Sequence, residues 1–367
     1  MTLFPTGRIR RNLGKLKDIM TDEIQSRIVG NLGHIRLNRP KALNALTQSM
    51  VAEITRLLLK WEQDETVGAV LVDSAGERAF CAGGDVILLH DSGKAGDTKA
   101  ETFWREEYAL NELIFRYSKP YITLIDGFVM GGGVGLSVHG RLRIAGDATV
   151  FAMPETGIGY FPDVGGTYFL PRLGHGLGNW LGLTGARLSA GQCMEFGVAN
   201  GYVPSQKHSD LIEALGQAAL DGSDASVANV LMKFISAPPK AEPIPQSLKA
   251  FEAPTVPAIL KALDADGGDW AVKQATTMRR KSPLALVVTL EALRQGRDLS
   301  FREAMSQELN LSLNFLNTQD FYEGIRAQLI DKDRNPKWSH DSAKSVTQAQ
   351  QARLFMLATV KPLAFLD

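Results

Sequence analysis

The sequence predicts an α/β protein in which a mainly parallel sheet is covered by helices and followed by a helical C-terminal region. Three observations carry that expectation. Residues 69–72 and 121–125 are nearly continuous apolar runs, which read as strands buried on both faces. Each run leads to a glycine-rich turn and then to a helical pattern, the alternation expected of repeated strand-then-helix units. Beyond about residue 208 the strand signals fade and helical periodicity takes over.

Residues 1–20 form a basic leader in which Arg8, Arg10, Arg11, Lys15 and Lys17 face a single acid, Asp18. With little apolar surface to bury, it is expected to be disordered, upstream of a true start at Met20. An organellar transit peptide is the alternative, although the segment lacks the serine richness and apolar face of such peptides. The core is expected over residues 21–207. There His34 to Asn38 alternates as a strand, and Thr47 caps a helix whose apolar face is Met50, Ile54, Leu57, Leu58 and Trp61. Residues 143–145 add a further strand. The C-terminal helical region, 208–345, contains a proline-rich connection at 237–245. Ser282 and Pro283 open a helix through Leu284, Leu286, Val287, Leu290 and Leu293, with Gly296 as its stop. Ser300 and Glu303 make a capping box for a helix through Met305, Leu309, Leu313 and Leu316. Residues 346–367 form a tail.

Forty basic and forty acidic residues cancel, leaving a pI near 7.0 and no field to gather nucleic acid or an acidic membrane. No apolar run reaches bilayer-spanning length. The two cysteines, Cys81 and Cys193, are too few for a disulfide framework or a structural zinc site and read as a buried reduced pair. No phosphate-loop lysine follows the glycines and no dinucleotide fingerprint opens a helix. His34, His90, His139, His175, His208 and His340 are scattered without a nucleophile elbow, so Ser137 and His139 read as packing residues. Metal-ligand spacings are absent from the sequence, and no metal is expected.

The chemistry concentrates in two glycine turns and two carboxylates. Gly131, Gly132 and Gly133 follow the run at 121–125, and Gly83 and Gly84 follow the run at 69–72. Bare amides at a helix start let a ligand oxygen approach closely, and two such turns together supply an oxyanion hole. Either turn alone reads first as a steric feature of a strand-to-helix turn, and only the two together point to the chemistry. Glu155 and Asp163 flank a segment turned by Gly157, Gly159 and Pro162, with Phe151, Met153, Tyr160 and Phe161 available to exclude water and raise a carboxyl pKa. The other reading of those two acids is a helix cap and an ordinary turn residue. Of Glu106 and Glu107, on an aromatic helix with Phe103, Trp104 and Tyr108, one is expected to be solvated and the other to border a pocket.

Leu37 to Leu46, Phe80 to Asp85 and Gly127 to Gly135 resemble the crotonase (enoyl-CoA hydratase/isomerase) superfamily. The resemblance implies a crotonase-like spiral of ββα units that binds acyl-CoA thioesters, with oxyanion amides from Gly84 and Gly132. It also implies that Ala82, Asp85 and the loop around Lys41 border the coenzyme A moiety. Residues 105–108, 130–140, 153–156, 161–166 and 168–173, with 321–326 and 330–338, more narrowly resemble the 3-hydroxyisobutyryl-CoA hydrolase family within it, over about residues 24–340. By matching positions, Glu107, Gly132, Glu155 and Asp163 are then substrate-site residues, with Glu155, Asp163, Gly84 and Gly132 carrying the chemistry.

One departure separates the activities within the superfamily. Hydratases carry a glutamate two residues after the triglycine, where this chain has Gly135. Each general acid or base typically contributes about 10²- to 10⁴-fold, so hydration loses an essential partner. The resemblance therefore implies hydrolysis of a short branched 3-hydroxyacyl-CoA, 3-hydroxyisobutyryl-CoA of valine breakdown, without a cofactor beyond the coenzyme A of the substrate. An enoyl-CoA hydratase or isomerase is the alternative, and a non-catalytic RNA- or acyl-CoA-binding protein is a third reading. No nucleic-acid or membrane partner is expected, a homo-oligomer is left open, and the location is cytoplasmic, or mitochondrial if the leader is a transit peptide.

Overall fold

Between residues 69 and 152 successive strands alternate between two sheets, and this step organises the molecule. The computed structural model describes residues 22–174, 176–358 and 361–366; the basic leader and His175 lie outside the described residues. The larger sheet contains β1 (Ile24–Val29), β2 (Leu32–Leu37), β3 (Ala69–Ser74), β5 (Tyr121–Ile125), β7 (Leu142–Ala145) and β10 (Gly201–Tyr202), in the order β1-β2-β3-β5-β7-β10. The smaller sheet runs β4 (Ala79–Cys81), β6 (Phe128–Met130), β8 (Val150–Ala152) and β9 (Leu188–Ser189). Each sheet is parallel except at one end, where β1 pairs antiparallel with β2 and β9 with β8.

The single sheet expected from the apolar runs is thus two. The strands of the smaller sheet are two or three residues long, too short to leave a periodic signal. Asp126 and Gly127 alone separate β5 from β6, and Gly127 makes the corner at φ +81, where a Cβ would lie 2.7 Å from the Arg78 carbonyl oxygen. β1 was not expected either, because this edge strand is exposed along most of its length and its sequence does not alternate. β2 begins at Leu32, two residues before the alternating segment that starts at His34.

The central strands are mainly apolar because both faces are covered. Helices α1 (Gln48–Glu62), α2 (Val86–Ala95), α3 (Lys99–Arg116) and α4 (Gly132–Ser137) follow the first strands, and α5 (Gly166–Phe169), α6 (Leu177–Thr184) and α7 (Ala190–Glu195) the later ones. Ile35, Val70 and Val72 join the large core that α1 and α3 close. Leu32, Leu71, Ile122 and Ile144 point to the opposite face, covered by Leu211, Leu215, Val227 and Leu231 of α8 (His208–Gln217) and α9 (Asp224–Leu231). Thr47 accepts from the Met50 N–H at the start of α1, as its sequence predicts.

Past the proline-rich connection come α10 (Val256–Asp266), α11 (Asp269–Arg279), α12 (Pro283–Gly296), α13 (Phe301–Phe315), α14 (Gln319–Ile325) and α15 (Gln348–Leu354). They fold back on the core of their own chain: Phe251, Met278, Leu293, Phe315 and Phe321 belong to the same apolar cluster as Phe103 and Trp104. The caps of α12 and α13 form as expected, with the full Ser300–Glu303 box. Gly296 differs from its expected role as a residue past the helix end. It is the last residue of α12, and a Cβ there would lie 2.0 Å from the Thr167 carbonyl oxygen, so close packing requires the glycine.

Candidate active site

β4 and β6 are parallel neighbours, so the turns that leave their C-terminal ends lie side by side. The glycines of one turn are in contact with the other: a Cβ on Gly131 would come 3.1 Å from the Gly83 Cα, and one on Gly133 would come 2.2 Å from the Cys81 carbonyl oxygen. Gly131 at φ +47 and Gly83 at φ +125 adopt conformations that favour glycine. Gly132 opens α4, where an N–H has no intrahelical acceptor. The bridge between this loop and Leu46 uses the Gly83 carbonyl and the Asp85 N–H, which leaves the Gly84 N–H on the other side of the strand. Gly84 and Gly132, whose amides are expected to form an oxyanion hole, both line one cavity of about 590 Å³.

Gly84, Asp85, Ala82 and Gly132 line that cavity together with Glu107, Glu155 and Asp163. Lys41 is exposed and not among the lining residues, although its neighbours Arg39 and Ala42 are. Glu107 projects from α3, buried, with Oε1 lacking a hydrogen-bond partner; Glu106 beside it is only partly buried. Glu155 begins the 3-10 turn Glu155–Ile158 after β8, and its Oε2 is buried without a partner. Burial, and then repulsion from Asp163, push the Glu155 carboxyl well above the usual carboxylate range, while Lys281 pulls the other way. Burial followed by the charges of Asp163 and Glu308 does the same to Glu107. Asp163 is pushed up to about 6 by burial, restrained by the tyrosine hydroxyls that donate to it.

Asp163 is held by residues far apart in the chain. The Tyr108 hydroxyl donates to Oδ2 at 2.7 Å and the Tyr160 hydroxyl at 3.3 Å, and Ser312 of α13 lies 2.8 Å from the Tyr108 oxygen. Its neighbour Val164 sits at φ +51, a costly conformation for a β-branched residue that persists only when the surroundings enforce it. The enforcement is visible. His139 Nε2 donates to the Val164 carbonyl at 2.7 Å, and buried Glu308 of α13 accepts from the Gly165 N–H at 2.7 Å and the Thr167 N–H at 3.0 Å. His139 is held neutral by burial, its pKa lowered to about 4, which fits the packing role expected of it.

Glu308, Ser312 and Lys281 were not found from the sequence. The available signal was that Glu308 and Ser312 fall on the Met305 face of α13, where an apolar residue is expected; Leu313 and Leu316 are in fact only partly buried. Gly135 does not line the cavity. A Cβ there would lie 2.7 Å from Asn111 Nδ2 and 2.9 Å from the Val164 Cβ, so the position has no room for a longer side chain. Cys81 and Cys193 are buried free thiols, each pushed up to about 12 by burial. Among the described residues no helix is long and apolar enough to cross a membrane.

A family model described as enoyl-CoA hydratase/isomerase matches residues 32–355. The 3-hydroxyisobutyryl-CoA hydrolase, mitochondrial, of Xenopus laevis is 46% identical over 327 residues, 87% of this chain and 85% of the relative. The human protein of the same name is 42% identical, again over 87% of this chain and 84% of its own length. Among solved structures, a carnitinyl-CoA dehydratase from Mycobacterium thermoresistibile superimposes with a TM-score of 0.87 at 39% identity, covering 94% of this chain and 99% of that one. An enoyl-CoA hydratase from Rhodobacter sphaeroides gives 0.84 at 40% identity, covering 94% and 100%.

Proposed function

The chain belongs to the enoyl-CoA hydratase/isomerase family, and from that premise we propose that it hydrolyses 3-hydroxyisobutyryl-CoA to 3-hydroxyisobutyrate and coenzyme A, a step of valine breakdown. The observation that carries the choice of hydrolysis is Gly135. Hydration of a double bond needs a second acid there, and Asn111 and Val164 occupy the space it would need. The acids lining the cavity instead are Asp85, Glu107, Glu155 and Asp163. The relatives named as hydrolases support the acyl group.

In this mechanism the Gly84 and Gly132 amides polarise the thioester carbonyl and stabilise the oxyanion as it forms. Either Glu155 attacks the carbonyl carbon, the C–S bond breaks to release the coenzyme A thiolate, and water then hydrolyses the acyl–Glu155 anhydride to the free acid and restores the carboxylate; or Glu155 removes a proton from a water that attacks the carbonyl, and the C–S bond breaks directly to the acid and the thiolate. Asp163 binds the substrate hydroxyl or delivers the proton that the thiolate takes up. Glu107 lines the acyl end. Coenzyme A enters as part of the substrate, and no resident cofactor is assigned. Release of coenzyme A from 3-hydroxyisobutyryl-CoA, compared with hydration of crotonyl-CoA, tests the proposal. Rapid hydration without thioester cleavage would overturn it.

The relatives named as mitochondrial favour the transit-peptide reading of the basic leader over a cytoplasmic location. Organelle import of residues 1–20 fused to a reporter tests that. Self-association to a homo-oligomer is part of the same proposal, checked by sedimentation.

A further inference from the structure

Among the described residues, six charged ones line the cavity: Arg39, Asp85, Glu107, Glu155, Asp163 and Lys281. Arg39 is committed, paired with Glu23 at 3.1 Å and donating to the Ala45 carbonyl at 3.1 Å. Asp85 caps α2 by accepting from the Leu88 N–H at 3.2 Å. Three acids then share the cavity, with Glu308 behind Asp163, and among the described lining residues Lys281 is the cation left to answer them. Among the described residues its ammonium makes no ion pair within 4.0 Å, and no hydrogen bond of the side chain is seen.

Its position is nonetheless well defined. The Lys281 N–H donates to the Met278 carbonyl at 3.0 Å, and the next N–H, of Ser282, donates to the Thr156 carbonyl at 3.3 Å. That second bond joins the start of α12 directly to the turn that carries Glu155. A Cβ on Gly157 would lie 3.0 Å from Lys281 Nζ, so the glycine lets the ammonium approach the turn. Glu155 is one residue from Thr156 and two from Gly157, and its Oε2 has no hydrogen-bond partner.

We propose that Lys281 is a positioning residue for thioester cleavage: its ammonium, held at the turn that carries Glu155, favours the carboxylate form without pairing with the oxygen that must react. This rests on the hydrolase reading above. A direct salt bridge would tie up the lone pairs of a nucleophile or base, whereas a cation beyond contact distance stabilises the charge and leaves the oxygens free. Burial and Asp163 both favour protonated Glu155, and the charge of Lys281 opposes them. Reciprocally, burial depresses the Lys281 pKa and Glu155 raises it.

Lys281→Met removes the charge while keeping most of the stem, and Lys281→Arg keeps the charge. The acid limb of kcat/KM should move up by about one pH unit in Lys281→Met, roughly a tenfold loss below the limb, and stay in place in Lys281→Arg. Circular dichroism confirms folding of both variants. An infrared carboxylic-acid band that disappears in Glu155→Gln reports the same ionisation without turnover, so it remains readable if the protein cleaves no thioester. A limb and band unmoved in folded Lys281→Met would overturn the proposal, and a rise in KM alone would assign Lys281 to substrate contact instead.

Discussion

Glu155→Gln keeps the size of the side chain and removes the group proposed as nucleophile or base, so thioester hydrolysis should fall by at least about 10²-fold while the fold persists. The raised carboxyl of Glu155 sets the sign of the pH dependence. Activity that requires ionised Glu155 is lost as the pH falls through its folded-state value, so the acid limb should lie well above the usual carboxylate range. A pH–rate profile with its limb near 4 would contradict this. Asp163→Asn separates two roles: a defect that shrinks on isobutyryl-CoA assigns Asp163 to the substrate hydroxyl, and equal defects on both substrates assign it to proton transfer. Gly135→Glu restores the acid of the hydratases, yet its side chain would meet Asn111 and Val164 in a closed space. The variant should lose roughly 1–3 kcal/mol of stability by overpacking and gain no crotonyl-CoA hydration. Thermal melts and a hydration assay read both outcomes.

At the level of elements, α13 acts on the site without touching the substrate cavity. Glu308 is fully buried and its carboxyl is pushed up to about 8, mainly by burial, while the donors from Gly165 and Thr167 work in the opposite sense. Glu308→Gln turns an amide NH₂ toward groups that are themselves donors. It should cost about 1–3 kcal/mol and lower kcat more than it raises KM, because Asp163 loses the turn that positions it. A variant as stable and active as the parent would show that the Val164 turn holds itself. The sequence announced the caps and apolar stripe of α13 but not this contact, since Glu308 meets residues 141 and 143 positions away. Lys281 escaped for the same reason: nothing near it in sequence distinguishes it from the surface lysines.

Across the whole molecule, the helices after the proline-rich connection and the two sheets share one apolar cluster that includes Phe251, Met278, Leu293 and Phe321. Removing residues 246–367 would uncover that core and delete Glu308, Ser312 and Lys281 together. The truncated chain should not unfold cooperatively, a result that denaturant titration and limited proteolysis would read; a stable cooperative core would mean the sheets fold independently of the helices. Local sequence determined the strand-then-helix alternation, the helix caps, the two glycine turns, and Glu155 and Asp163 as the carboxylates worth watching, because each depends on residues within a few positions of one another. Tertiary structure alone decided that the strands divide between two sheets, that the two turns meet, and that Gly135 is walled in. It also decided that α12 and α13 bring Lys281 and Glu308 to the site. Those outcomes depend on which distant surfaces pack together, and a buried charge looks the same in sequence as an exposed one until its neighbours are in place.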